Sequence, residues 1–358
     1  MEKRLILAIN PGSTSTKFSL YEELVLIFEK SLRHSTEELN RFENITDQFT
    51  FRKDLIMNEI TGRETDLSGI VAVVGRGGLV KPIESGVYIV NQKMKDDLKA
   101  GYSGQHASNL GGLIADEIAA SLPNATAYIV DPVVVDELHP VARISGHPEI
   151  ERRSIFHALN QKAVARDYAA TIGREYEDLN LIIAHMGGGV SVGLHKKGKV
   201  IDVNNALDGD GPFSPERSGS LPAGQLVELC FSGRFSQNEL MSMLTGKGGM
   251  VAYLGTNNFI EICKRADNGD QKAILIRNAA SYQVGKEIGA MAAVVNGDVN
   301  AIILTGGLAH QQDNIRNIKS MVDFIAKVVV YPGEDEMKAL AFNGLLAIDG
   351  KIEIKTYL

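Results

Sequence analysis

Three short turns rich in Gly, Ser and Thr stand where apolar strands end, and each has the composition of a phosphate cradle. The first is Asn10-Pro11-Gly12-Ser13-Thr14-Ser15-Thr16-Lys17, entered from Leu5-Ile6-Leu7-Ala8-Ile9. Small residues let backbone N–H groups converge on an anion, and Asn10, Ser13, Ser15 and Lys17 add side-chain donors. The second is Gly187-Gly188-Gly189, entered from Leu181-Ile182-Ile183-Ala184-His185-Met186 and left through Val190-Ser191-Val192. A third run, Ala301-Ile302-Ile303-Leu304-Thr305, ends in Gly306-Gly307. Ordinary hairpins use the same residues, so a lone turn says little. Here the second copy falls in step with the first, Ala8 over Ala184 and Ser15 over Ser191. No G-x-x-x-x-G-K-[ST] occurs, so this is not a P-loop chain.

Charged residues near these turns narrow the chemistry. Arg76 lies in Val74-Gly75-Arg76-Gly77-Gly78, and Arg217 in a loop from Gly209 to Gly219 stiffened by Pro212 and Pro215. A guanidinium can hold a carboxylate or a phosphate in a fork, although most loop arginines simply face water. His185 ends the second strand just before the Gly triplet, which aims its ring at the bound anion. His157 follows Ile155-Phe156 at a helix start and can line the same site; for either ring, a buried histidine bonded to a carbonyl is the alternative. Asp131 follows Tyr128-Ile129-Val130 at the carboxyl end of a strand, where α/β sheets present ligand-binding groups. An Asx turn before Pro132 is the alternative to that functional reading. Glu334-Asp335-Glu336 opens a helix, where acids suit the macrodipole with or without a metal.

The elements that must position these residues alternate between strand and helix. Strands are expected at 70–74 and 127–130, with a helix over 110–119 between them. Further helices fit 158–172, 223–232, 274–295 and 337–346. The 274–295 helix carries Ala280, Gly285, Gly289 and Ala293 on one face, which suits close packing and fits a homo-oligomer, a dimer or higher. The charged segment Gly146 to Ser154 reads as a crossover between two α/β halves. The expected domains are 1–155, with the C-terminal helix packing back on it, and 156–358.

Bulk properties agree with a globular enzyme. At 358 residues the chain exceeds one comfortable core. Its 44% hydrophobic and 23% charged content excludes disorder. A net charge of −7 gives no electrostatic reason to bind nucleic acid or an anionic membrane. Two cysteines, Cys230 and Cys263, are too few for a disulfide framework and read as reduced core thiols. The first strand begins within four residues of Met1, and no apolar run approaches the roughly 18 residues of a membrane span. A cytoplasmic location is expected.

Taken together the motifs resemble the acetate kinase family, within the superfamily of actin-like, sugar-kinase and chaperone ATPases. The likeness rests on Asn10 to Lys17, Val74 to Gly78, Asp131-Pro132, Ile155-Phe156-His157, Ala184 to Gly189, Glu216-Arg217-Ser218-Gly219 and Thr305-Gly306-Gly307, which fall in the family's order over about 300 residues. It implies two ribonuclease-H-like, actin-like ATPase domains related by duplication, with an interdomain cleft for ATP and Mg²⁺, and phosphoryl transfer to a small carboxylic acid. By the same resemblance Arg76 takes the substrate carboxylate and Arg217 the charge developing on phosphate. His185 donates a hydrogen bond to the transferring group, and Asp131 orients Mg²⁺ or the γ-phosphate through water. Gly187, Gly188 and Gly189 approach the β-phosphate, and Asn10, Ser13 and Ser15 the phosphates from the other domain. Gly306 and Gly307 underlie adenosine. A metal-linked acid comes from Glu334 or Glu336.

A carboxylate acceptor is already an anion at pH 7, with a pKa near 4.3 like that of Glu. It needs no general base, and the barrier is repulsion between two anions, about 4 kcal/mol for unit charges 4 Å apart at an effective dielectric of 20. Cations and in-line positioning should therefore carry the reaction. Where acetate kinases are bulky after the first Arg, this chain has Gly77-Gly78, which should widen the acyl pocket for butyrate or isobutyrate. Phe156 and Phe213, with His157, could wall it. An acetate or propionate kinase, a hydroxyl-directed kinase with Asp131 as base, a non-catalytic nucleotide binder and a dinucleotide enzyme are the alternatives.

Overall fold

The computed structural model describes residues 4–63 and 66–358. The chain falls into two units, Met1–Val135 with Asp335–Leu358, and Asp136–Glu334. The first boundary therefore lies ahead of the expected 155/156, for a local reason. Directly after Val135 the chain is tied to a strand of the second unit: the His139 N–H donates to the Ile201 carbonyl at 2.8 Å. Arg152 donates to Asp202 Oδ1 at 3.0 Å and to the Val203 carbonyl at 3.1 Å. The segment expected to be a crossover thus belongs wholly to the second unit.

The first unit is built on a sheet of strands β1 (Leu5–Pro11), β2 (Ser15–Glu22), β3 (Val25–Arg33), β4 (Ile70–Arg76), β5 (Val87–Ile89) and β6 (Thr126–Val130), with the C-terminal strand Ile354–Thr356 at one edge. β1 and β2 form a hairpin pairing Ala8 with Ser19, and β1 runs parallel to β4. Alternation turns Leu5, Leu7, Ile9, Phe18 and Leu20 into one apolar core with the helices Phe49–Thr61 and Asn109–Ala120. The other face of β1 and β4 is covered by the helix Glu336–Ile348, where the missing side chain of Gly344 admits Val74 Cγ2.

In the second unit β7 (Asn180–Met186), β8 (Val190–Lys196), β9 (Lys199–Val203), β10 (Ala301–Gly306) and β11 (Val328–Pro332) repeat the plan. β7 and β8 pair antiparallel with Ala184 opposite Val192, β8 pairs with β9, and β7 runs parallel to β10. The sheet order β11-β10-β7-β8-β9 matches β6-β4-β1-β2-β3 of the first unit. Strands β7 and β10 are buried along their whole length, as expected of parallel strands covered on both faces. One cover is the helix Gln271–Val294 and the other the helix Ala158–Thr171. Cys263 is buried, whereas Cys230 is exposed and not the core thiol expected. Among the described residues no helix is long and apolar enough to cross a membrane.

Candidate active site

The hairpin tip of the second unit gathers most of the expected chemistry. His185 lies next to the end of β7 and is fully buried. Its Nδ1 sits 2.7 Å from Asn160 Oδ1. Its Nε2 is 3.1 Å from Glu334 Oε1, but off the line of a hydrogen bond. His157, at the N-terminus of the helix Ala158–Thr171, stacks on His185 with ring centroids 3.7 Å apart and planes 11° from parallel. Arg217 donates Nη1 to the Ala206 carbonyl at 2.7 Å. Its loop closes on Ser214, whose hydroxyl donates to the Gly188 carbonyl and accepts the Arg217 N–H at 3.0 Å. Ser214 was not singled out in the sequence; its place between two prolines in the Arg217 loop was the available sign.

Side chains crowd the backbone of this tip at Gly187 and Gly189. A Cβ on Gly189 would strike the Arg217 guanidinium and come within 3.3 Å of His157 Cε1. One on Gly187 would lie 3.1 Å from both His185 Nε2 and Glu334 Oε1. Gly188 is the exposed point of the turn. At the end of β10, Gly306 adopts φ +88° against the Met186 carbonyl, while Gly307 faces open space. Of that pair, Gly307 is the one that leaves bare backbone for a flat ligand.

In the first unit the β1–β2 turn is organised by a residue that the sequence reading missed. Arg52, wholly buried in the helix Phe49–Thr61, donates from Nη1 to the carbonyls of Gly12 at 2.8 Å and Ser15 at 2.9 Å. It also donates to Thr16 Oγ1 at 3.0 Å and, from Nη2, to the Ser13 carbonyl at 3.2 Å. Gln48 Oε1 takes its remaining donors, Nε at 3.0 Å and Nη2 at 2.8 Å. Burial lowers its pKa to about 10. The only sign in the sequence was a charge on an otherwise apolar helix face. Lys17, expected to help hold phosphate, is paired with Glu29 at 2.8 Å across the β2–β3 hairpin.

Arg76 ends β4 and pairs with Glu336 at 3.1 Å. Asn10 donates to the same carboxylate oxygen at 2.6 Å. Glu336 is thus engaged by a cation and an amide of its own unit, and Glu334 belongs to the other unit beside His185. Among the described residues no cluster of three or more His, Cys, Asp or Glu could hold an ion. Asp131 is buried with φ +36°, and its Oδ1 accepts from Ser85 Oγ at 2.6 Å and the Gly86 N–H at 2.8 Å. Those bonds hold the strained backbone and occupy one face of the carboxylate.

The glycine-opened acyl pocket is not what the structure contains. A Cβ on Gly77 would lie 2.5 Å from Pro132 Cβ. One on Gly78 would lie 2.6 Å from Asn109 Cα and 2.8 Å from Leu98 Cδ2. Both glycines are buried, and the volume their side chains would need is filled by neighbours. Phe156 is buried. Phe213 belongs to the apolar core and edges a cavity of about 680 Å³ whose lining includes none of His157, His185 and Arg217.

Residues 144–330 match the Acetokinase family. Over 352 residues the chain is 57% identical to Butyrate kinase 1 of Clostridium acetobutylicum, spanning 98% of this chain and 99% of that one. Butyrate kinase 2 of the same organism is 56% identical over the same span. Among solved structures, Porphyromonas gingivalis acetate kinase superposes with TM-score 0.78 at 19% identity, covering 96% of this chain and all of that one. A propionate kinase from Francisella tularensis does so with TM-score 0.75 at 19% identity, covering 95% and 98%. At those identities the likeness speaks for the fold.

Proposed function

Because this chain belongs to the acetokinase family, we propose that it is a butyrate kinase, transferring the γ-phosphoryl group of ATP to butyrate to give butyryl phosphate and ADP, reversibly. The observation that carries the reading is the convergence of Arg217, His157 and His185 on the Gly187–Gly189 turn, where a Cβ on Gly189 would strike the Arg217 guanidinium. Such a tip offers donors and a cation to a phosphoryl group, and an already ionised acceptor calls for no proton removal.

Each residue then has a task that its surroundings permit. The Gly187–Gly189 backbone and the β1–β2 turn with Asn10, Ser13 and Ser15 contact phosphate. Arg217 and the two histidines stabilise charge on the phosphoryl oxygens, and Arg76, exchanging Glu336 for substrate, holds the acid. Gly307 underlies the nucleoside. Magnesium would supply charge neutralisation on the phosphates; Glu334, half-exposed beside His185, is a hard oxygen donor that fits it. A cation that keeps most of its waters and binds through phosphate needs no protein cage. A hydroxyl acceptor would need Asp131 as base, and that group is buried and already accepts two hydrogen bonds.

Choice of butyrate over acetate rests on the two relatives named for butyrate, since the glycine argument for a wider pocket does not hold. The test is ADP release and hydroxylamine trapping with Mg-ATP against acetate, propionate, butyrate, isobutyrate and glycerol. Hydroxamate should form best with butyrate or isobutyrate. ADP release on glycerol alone, without hydroxamate from any acid, would overturn the reading.

A further inference from the structure

We infer that Tyr176, His195, Gln161 and Ser191 form a one-way chain of hydrogen bonds that holds His157 with its ring proton on Nε2, so that this ring meets the phosphoryl group as a donor. The identity of that anion rests on the proposed function; the tautomer does not.

The direction of the chain follows from a member that cannot reverse. The Ser191 carbonyl accepts from Gln161 at 3.1 Å, and a carbonyl can only accept. Gln161 therefore turns its amide nitrogen to Ser191 and its amide oxygen to His195 Nε2, 2.9 Å away. An oxygen facing Nε2 requires the His195 proton there, which leaves Nδ1 to accept the Tyr176 hydroxyl at 2.7 Å. Burial, with Lys162 and Arg166 nearby, holds the pKa of His195 well below the ordinary histidine range, so the ring stays neutral.

At the other end, the Gln161 nitrogen also donates to Ser191 Oγ at 2.8 Å. The main-chain N–H of His157 points at the same oxygen from 3.4 Å. With donors on both lone pairs, the hydroxyl hydrogen goes to His157 Nδ1, 2.8 Å away. His157 then carries its proton on Nε2. Tyr176, His195, Gln161 and Ser191 are all buried, so water does not compete for these bonds.

The fold builds this line deliberately. Ser191, Gly193 and His195 share one face of β8, turned towards the helix Ala158–Thr171 that carries Gln161. A Cβ on Gly193 would lie 2.5 Å from Gln161 Oε1, so glycine there makes room for the amide between the serine and the histidine. The four are positioning residues; none of them is assigned a contact with substrate.

Ring-nitrogen NMR of the full-length protein labelled with ¹⁵N-histidine, at slightly alkaline pH, reads the tautomers directly. His157→Gln and His195→Gln assign the two rings. Both should carry the proton on Nε2 in the unaltered protein. Gln161→Glu, which has no donor for Ser191, should move the His157 proton to Nδ1 and lower kcat at least about tenfold with little change in the KM for ATP. Ser191→Ala should leave His157 as a mixture of tautomers. A His157 ring protonated on Nδ1 in an active, unaltered enzyme would overturn the chain of bonds alone. Absence of acid-dependent turnover with Nε2–H intact would overturn the kinase reading and leave the chain standing.

Discussion

Arg52 and Gly189 show how much of a phosphate-binding tip depends on what packs behind its backbone. Arg52 satisfies three carbonyls, one hydroxyl and one amide oxygen with a single planar fork, and lysine, a point charge with three donors, cannot span them. Arg52→Lys should therefore cost about 2 to 4 kcal/mol through unsatisfied buried acceptors. It should also raise the KM for ATP, because the turn carrying Asn10, Ser13 and Ser15 loosens. A thermal melt and an ATP titration of one preparation check both; an unchanged melting temperature would show that the fork is not structural. Gly189→Ala should behave in the opposite way. The added methyl meets the mobile end of Arg217 more than backbone, so the fold can accommodate it by displacing the guanidinium. We expect a fall in kcat of about 100-fold, as a misplacement of about 1 Å can cause, with a melting temperature close to that of the unaltered protein. Gly188→Ala, at the exposed point of the same turn, is the comparison expected to keep most activity.

At the scale of elements, the loop from Arg76 to Leu79 is fixed by the helix Asn109–Ala120. Asn109 Oδ1 accepts the Leu79 N–H at 2.8 Å, and Gly78 packs on the Asn109 backbone. Gly77→Ala or Gly78→Ala should thus destabilise by about 1 to 3 kcal/mol through overpacking, leaving the ratio of kcat/KM for butyrate and acetate unchanged. A shift of that ratio towards acetate without loss of stability would restore the glycine-opened pocket. This contrast marks what the sequence could tell. Apolar runs ending in Gly, Ser or Thr were readable because strand alternation and small-residue turns are local properties, and so were the strands β1, β7 and β10 with their tips. Whether a glycine leaves space or admits a neighbour is a tertiary fact: nothing near Gly77 in the sequence announces Pro132. Lys17 looked like a phosphate ligand because Glu29 lies twelve positions on, across a hairpin whose register the sequence did not reveal. The boundary at Val135 was hidden for the same reason, since it depends on pairing with Ile201 far along the chain.

For the molecule as a whole, the two units repeat one strand plan, and each places a histidine in a buried hydrogen-bonded position beside its first hairpin. In the first unit Thr16 Oγ1 accepts from Arg52 at 3.0 Å and lies 2.8 Å from His34 Nε2. Burial and the nearby Arg52 charge lower the pKa of His34, and burial, Lys162 and Arg166 lower that of His195 further. A histidine whose pKa is lower folded than unfolded stabilises the native state above its unfolded value, near 6.5, and that stability is lost as pH falls towards the folded value. Between those limits the unfolded chain binds protons that the native one refuses, at up to about 1.4 kcal/mol per pH unit for each ring. Calorimetric melts from pH 7.5 downwards should therefore show stability falling once the pH passes below about 6.5. The decline should be shallower in His195→Gln, which keeps an amide in the cavity and removes the titration. If the variant and the unaltered protein lose stability in parallel over that range, His195 is not a source of the acid sensitivity.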